Sequence, residues 1–329
     1  MKVALIGDRS APLDEGMKKT TAALSAALTY YCELRVFNPL RSITLDFWSG
    51  IQDFHPQVIH YIPGPSLKSF VLLSAIKKWL GGLPTVMSIT HPDPHLPVRI
   101  VDRFLRPDLL LLQSTQSARQ FQCLKCRKEF IPNGVDTNVF YPVSEQVKLK
   151  LRTKLEIDAA KFVVLHVGNT RMARNLESLL ALQSEGYQVV VIGSTTISGD
   201  PEVTERLKAA GCLVVEHYVE RIEGYYQSAD CYVFPTVDHI AAIQHPLSVL
   251  EAMACNLPVV TREFGAIPNL FNPGDGFYLV KTDRALTETV KRVKARPGAV
   301  RTREMVIPFS WSAIAEKLIL QYERLLISC

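Results

Sequence analysis

Ser228-Ala229-Asp230-Cys231-Tyr232-Val233-Phe234-Pro235-Thr236 is followed by a loop. The chain then runs His245-Pro246-Leu247-Ser248-Val249-Leu250-Glu251-Ala252-Met253-Ala254-Cys255-Asn256-Leu257-Pro258-Val259-Val260-Thr261. Cys231–Pro235 and Pro258–Thr261 are short apolar runs of strand length, and Pro246–Cys255 between them has helical length and period. A buried strand, a helix and a second buried strand make a right-handed crossover in a parallel sheet.

The same alternation extends outward in both directions. After the midpoint, strands are expected at Phe162–Gly168, Tyr187–Gly193, Cys212–His217 and Gly276–Val280, with helices at Asn175–Glu185, Pro201–Gly211, Glu220–Ala229 and Leu286–Ala295. The first half repeats it. Its strands are Lys2–Gly7, Cys32–Asn38, Gln57–Ile62, Thr85–Thr90, Leu109–Ser114 and Glu129–Ile131, and its helices include Gly16–Tyr30, Leu67–Leu80 and Thr115–Leu124. The fold class is therefore α/β, with two doubly wound, Rossmann-like halves. The break falls near Phe140–Glu145, after Pro132-Asn133-Gly134, giving a first domain over 1–142 and a second from 143. Ligands of such sheets bind beyond the carboxyl ends of the strands, so the expected site is a cleft between the two halves.

Composition sets the class. The chain has 329 residues, 47% hydrophobic and 21% charged, which excludes wholesale disorder and low-complexity structure. No apolar run reaches the length of a membrane span. Met1–Asp8 enters a short strand directly and does not read as a secretory leader. Seven scattered cysteines suit a reducing, cytoplasmic setting. The net charge of +5 lies wholly in residues 1–142, with 16 Lys+Arg against 11 Asp+Glu. That bias suits an anionic partner, but the dense basic patches of a nucleic-acid binder are absent.

Three segments carry candidate chemistry. Pro246 opens a helix whose amides at Leu247, Ser248 and Val249 suit a diphosphate, and Glu251, a turn further in, suits the vicinal hydroxyls of a ribose. The plain alternative for Glu251 is a solvated first-turn carboxylate. In Val167-Gly168-Asn169-Thr170-Arg171-Met172-Ala173-Arg174-Asn175, a strand ends at Gly168. Arg171 and Arg174 then offer guanidinium forks to phosphate, or are exposed loop residues. In Ser88-Ile89-Thr90-His91-Pro92, His91 stands at a strand's carboxyl end and could bond a sugar hydroxyl, or be structural. Cys123-Leu124-Lys125-Cys126 lacks a second pair and does not read as a zinc site. The segment Leu67–Gly82, with Phe70, Leu73, Ile76, Trp79 and Lys68, Lys77, Lys78, admits two readings: an interfacial membrane helix, or a sheet cover with solvated lysines.

These segments together resemble a retaining glycosyltransferase of the GT-B fold, most similar to glycosyltransferase family 4 (glycosyltransferase group 1). Ile131-Pro132-Asn133-Gly134-Val135-Asp136-Thr137-Asn138-Val139-Phe140-Tyr141-Pro142 resembles the family's domain junction. Leu250–Val260 resembles its donor-site helix and following strand, Ser228–Thr236 the strand before it, and Pro308–Glu316 its terminal segment. The resemblance implies a donor domain over 143–308 and a terminal helix, 309–329, crossing back to the first, acceptor-binding domain.

It further implies that Glu251 holds the donor ribose. Arg174 stands where the family's diphosphate-binding Lys falls, and Asn169, with Arg171, where its Arg falls. His91 matches a His near the transferred sugar, and Gly16 lies in the first loop near the phosphates. The site then comprises His91, Arg174 and Glu251 as catalytic, and Gly16, Gly168, Asn169, Arg171, Arg174, His245, Leu247, Ser248, Val249 and Glu251 for the donor.

One departure stands out. The first Glu of the family's pair falls on Ile243, so Asp238, Gln244 or His245 is left to substitute for it.

The implied reaction is metal-independent transfer of a hexose from a UDP- or GDP-sugar to a glycan, lipid-linked or small-molecule hydroxyl, with retention and no cofactor. No Asp-x-Asp metal motif occurs. The setting implied is the cytoplasm, with peripheral membrane contact open. Two rivals remain: a non-catalytic donor-binding subunit, motivated by Ile243, and a GT-B nucleotide-sugar epimerase.

Overall fold

A computed structural model describes residues 1–296 and 298–328. The chain forms two compact units. Unit 1 holds Met1–Gly134, the tripeptide Ile243–His245 and the chain from Trp311, and unit 2 holds Val135–Ala242 and Pro246–Ser310.

Unit 1 alternates β1 (Lys2–Ile6), α1 (Gly16–Leu28), β2 (Glu33–Phe37), α2 (Leu45–Phe54), β3 (Val58–Gly64), α3 (Leu67–Trp79), β4 (Thr85–Ile89), α4 (Val98–Phe104), β5 (Leu109–Leu112), α5 (Thr115–Gln120) and β6 (Arg127–Phe130). Its sheet has the order β2-β1-β3-β4-β5-β6, with every pairing parallel. Unit 2 runs α6 (Glu145–Lys154), β7 (Val163–Val167), α7 (Leu180–Ser184), β8 (Gln188–Ile192), α8 (Pro201–Ala209), β9 (Leu213–Val215) and α9 (Glu223–Ser228). It continues through β10 (Cys231–Phe234), α10 (Leu247–Ala254), β11 (Val259–Arg262), α11 (Ile267–Leu270), β12 (Phe277–Val280), α12 (Asp283–Ala295) and α13 (Thr302–Val306). Its sheet is also parallel, in the order β12-β11-β10-β7-β8-β9. All the strands expected from the sequence form, most of them a residue or two shorter.

The strands are apolar throughout because both faces are covered. Along β1, Val3 and Leu5 face one core and Ala4 and Ile6 the other. Along β7, Val163 and Leu165 face one side and Val164 the opposite. Successive strand residues point to opposite faces, so a doubly covered strand loses its polar alternation. Each fully buried Val or Leu contributes about 1.5–3 kcal/mol of transfer free energy.

The last helix, α14 (Trp311–Ser328), packs in unit 1. Ile314, Leu318, Tyr322 and Leu325 recur at helical spacing and lie against Leu24 and Leu28 of α1. Tyr322 also meets the fully buried His60 of β3, 2.6 Å from its Nδ1, while His60 Nε2 is 2.8 Å from Ser88 Oγ. The junction shows why Pro132-Asn133-Gly134 carries a glycine: a Cβ at Gly134 would lie 2.7 Å from the Trp311 ring and 3.0 Å from its Cα. Val135 N then donates to Phe309 O at 2.9 Å within unit 2. The chain thus changes unit between 134 and 135, earlier than the 142/143 expected from the turn residues and the helix after Pro142.

Three further differences are local. Helices α2 and α4 were not anticipated, although Phe47, Ile51 and Phe54 give α2 a buried stripe. The single helix expected over Asn175–Glu185 is instead short 3₁₀ turns, Met172–Arg174 and Leu176–Leu179, followed by α7. Asn175 breaks it, adopting φ 57° while its Nδ2 donates to Pro235 O and Asp283 Oδ1. Pro246 stands before α10 as an extended N-cap rather than in its first turn.

The Ser228-Ala229-Asp230 segment is a structural clamp. Asp230 Oδ2 accepts from Arg152 Nη2 at 2.6 Å and from Val163 N at 2.7 Å, and Lys148 Nζ lies 2.6 Å from Oδ1. Arg152 also donates to the Ser228, Ala159 and Lys161 carbonyls. This ties α6 to the edges of β7 and β10.

Candidate active site

In unit 2 the β7–α7 loop and the start of α10 supply the candidate groups. β7 ends at Val167, and Gly168 follows under a guanidinium. A Cβ at Gly168 would lie 3.1 Å from Arg174 Nη1 and 3.2 Å from His166 Nε2. Only glycine lets both groups approach this closely. Arg174 is half-buried, and its Nε is buried without a hydrogen-bond partner. Burial pulls its guanidinium down to about 10. It makes no ion pair among the described residues. A cation held out of water with no anion beside it is a site awaiting one.

His166, fully buried, sits directly below. Its Nδ1 lies 2.9 Å from Val233 O, an acceptor only, so the proton is on Nδ1 and Nε2 carries a lone pair. Burial holds this imidazole neutral, down to about 3. The ring stacks on Tyr232 with centroids 6.3 Å apart.

Helix α10 carries Leu247, Ser248, Val249 and Glu251. No side chain caps it, so its leading amides point out of the helix end, where the dipole favours negative charge. Glu251 is only 4% exposed and accepts from Tyr226 OH at 2.7 Å. This excludes the solvated first-turn carboxylate. Tyr232 on β10 joins the two loops. Burial raises its hydroxyl well above the usual phenol range, Ser248 and Arg174 oppose that rise, and Glu251 adds to it. Ser248, Glu251 and Arg174 thus each lie near enough to Tyr232 to bias its hydroxyl.

The other expected donor residues differ in role. Asn169 is buried, and its Oδ1 accepts from Arg171 N at 3.4 Å. Arg171 is exposed, and its Nε donates to Ser198 O at 3.1 Å. Of this pair only Arg171 carries a charge, and its Nε is turned to a backbone carbonyl.

Gly16, His91 and His245 lie in unit 1. Gly16 begins α1 against Ile243, whose Cδ1 would be 3.0 Å from a Cβ there. Gln244 N donates to Thr90 O at 2.6 Å, and His245 O accepts from Asn133 Nδ2 at 2.9 Å. His245 is fully buried and held neutral, down to about 3, by that burial. It belongs with Thr90 and Asn133 rather than with the donor loops of unit 2. His91 follows β4. The Thr90 hydroxyl gives its proton to Gly64 O, so it accepts from His91 Nδ1–H at 3.0 Å and leaves Nε2 as an acceptor. Burial lowers the His91 imidazole against the opposing charges of Asp93 and Glu15.

Sequence reasoning missed Tyr226, Tyr232 and His166. The sequence signal of His166 is that it is the one polar residue in an apolar strand. The two tyrosines carried no signal beyond a pair of aromatics flanking Asp230. Among the described residues no cluster of three or more His, Cys, Asp or Glu is placed to hold a metal ion, and Cys123 and Cys126 are free thiols. No described helix is long and apolar enough to cross a membrane.

Two parallel six-stranded sheets with flanking helices form an α/β fold of the GT-B class. Residues 161–295, in unit 2 apart from Ile243–His245, match the family described as Glycosyl transferases group 1. The chain is 26% identical over 257 residues to D-inositol 3-phosphate glycosyltransferase of Mycobacteroides abscessus, covering 71% of this chain and 56% of that protein. It spans about half the length of the curated relatives it matches. Sucrose-phosphate synthase from Thermosynechococcus elongatus superposes with a TM-score of 0.78 at 18% identity, covering 100% of both chains. Anabaena HepE, solved in complex with UDP, gives 0.73–0.74 in two structures at 16% identity, covering 98% of this chain and 100% of that one.

Proposed function

We propose that the protein is a retaining, metal-independent hexosyltransferase using a UDP- or GDP-sugar and no cofactor. The observation that carries this is Arg174: a buried-Nε guanidinium over Gly168, without an anionic partner, acting on the same phenol as Ser248 and Glu251. The donor diphosphate lies against Arg174 and the amides of Leu247, Ser248 and Val249, with Gly168 and Asn169 shaping the loop. Glu251, oriented by Tyr226, takes the ribose hydroxyls. UDP bound to the structurally similar HepE supports this donor class.

In the proposed reaction the acceptor oxygen forms a bond to the anomeric carbon as the bond to the diphosphate oxygen breaks. The acceptor proton passes to the leaving diphosphate, whose charge Arg174 and the helix end stabilise. His91 Nε2 accepts from a hydroxyl of the transferred sugar. The acceptor is a glycan, a lipid-linked sugar or a small molecule. Contact with anionic lipid is supported by the exposed Trp79, Leu67 and Val71 of α3 beside Lys68 and Lys78, the same helix burying Phe70, Leu73 and Ile76.

Incubation with UDP-, GDP- and ADP-sugars, without metal, tests the reading by nucleotide release, and NMR of the product reads its anomeric configuration. Inversion would overturn retention, and release that needs added metal would overturn metal independence. A second reading is favoured by one observation: Ile243, where the family has its first Glu, lies half-buried against Gly16. It describes a donor-binding subunit without turnover. It predicts binding without release, and release regained by Ile243→Glu.

A further inference from the structure

Outside the donor loops, unit 1 holds a pocket of about 520 Å³ beyond the carboxyl ends of β1 and β2. Phe37 and Phe47 form its apolar floor, and Asp8, Arg9, Asn38 and Arg41 stand on its rim. The volume suits a monosaccharide-sized ligand.

The charges on this rim are unequal in availability. Asp8 is already engaged: Lys18 Nζ is 3.7 Å away, Ser10 N donates at 2.9 Å and Asn38 Nδ2 at 3.1 Å. Asp46, also lining the pocket, sits in the first turn of α2, where the helix end supports its charge. Arg9 and Arg41 form no ion pair with any described residue. Two guanidinium forks over an apolar floor fit a phosphate or carboxylate, and the carboxylates beside them fit hydroxyls.

We propose that this pocket binds an acceptor carrying a phosphate or carboxylate beside its hydroxyls, with Arg9 and Arg41 holding the anion. The word acceptor rests on the glycosyltransferase reading, whereas the binding does not. The anion is borne either by a soluble sugar or by a lipid headgroup.

Titration calorimetry on the full chain compares glucose 6-phosphate with glucose, and sedimentation compares phosphatidylglycerol with phosphatidylcholine vesicles. The expected result is tighter binding of the anionic member of each pair. Arg9→Ala/Arg41→Ala should weaken that binding roughly 100-fold, the loss of two charge-assisted contacts. Arginine-dependent binding of the sugar phosphate identifies a soluble acceptor. Arginine-dependent binding of phosphatidylglycerol vesicles alone identifies a headgroup. Equal binding of anionic and neutral partners, or binding indifferent to the double variant, overturns the proposal. UDP and GDP titrated in parallel keep the two readings separate. Binding of UDP or GDP without anion binding sinks only this inference, and anion binding without binding of either nucleotide sinks only the donor reading.

Discussion

The Tyr226 hydroxyl donates to Glu251 Oε2 at 2.7 Å, with both residues buried in unit 2. A carboxylate in the second turn of a short helix is thereby fixed by a residue from the preceding helix. Burial and the adjacent Glu251 push the tyrosine well above the usual phenol range, so it remains a donor across the working pH. Tyr226→Phe removes one hydrogen bond, about 1 kcal/mol. UDP affinity should fall about fivefold while the fold persists. Glu251→Ala should lower it well beyond that. Titration calorimetry with UDP on both variants checks the order; equal losses would show that Tyr226 does more than orient Glu251.

Arg174 sets function against stability. Its buried Nε has no partner, so the uncomplexed protein carries a desolvation cost. Arg174→Met should raise the thermal midpoint of the ligand-free protein, a gain of about 1 kcal/mol. The same change should weaken UDP binding by about 10- to 100-fold and leave uridine binding nearly unchanged. Calorimetric unfolding and paired UDP and uridine titrations read both effects.

Three buried histidines set the acid limit. His60, His166 and His245 are each pushed down to about 3 by burial, from an ordinary 6.5. The unfolded chain takes up these protons below pH 6.5 and the folded chain does not. Stability is therefore full above that pH and is lost as pH falls through the window from 6.5 towards 3. Each histidine contributes about 1.4 kcal/mol per pH unit within the window. Denaturant unfolding at pH 7.5, 6 and 5 should show the fall, and His60→Gln should shallow its slope by one proton.

Asp230 predicts a purely structural loss. Removing it by Asp230→Ala strands Arg152, which is 6% exposed at its side chain, and the Val163 amide. Breaking one side of such a pair costs about 3–5 kcal/mol. The unfolding midpoint should drop sharply. Saturating UDP should still bind whatever fraction stays folded, which equilibrium dialysis measures.

The sequence by itself determined the α/β class, the twelve strands and the candidate status of Arg174 and Glu251. Those features are local: a doubly covered strand is apolar along its whole length, and a strand-end loop with arginines is visible in a few residues. Tertiary structure alone decided the rest. Tyr226 reaches Glu251 from 25 positions away, Gly134 is required by Trp311 from the last helix, and His245 sits in unit 1 with Ile243 and Gln244 although the chain on either side of that tripeptide lies in unit 2. Asn175 ends one turn and starts another because Pro235 and Asp283 draw its side chain out of helical register. These contacts join residues far apart in the chain, and their energies depend on burial and on partners that local spacing does not encode.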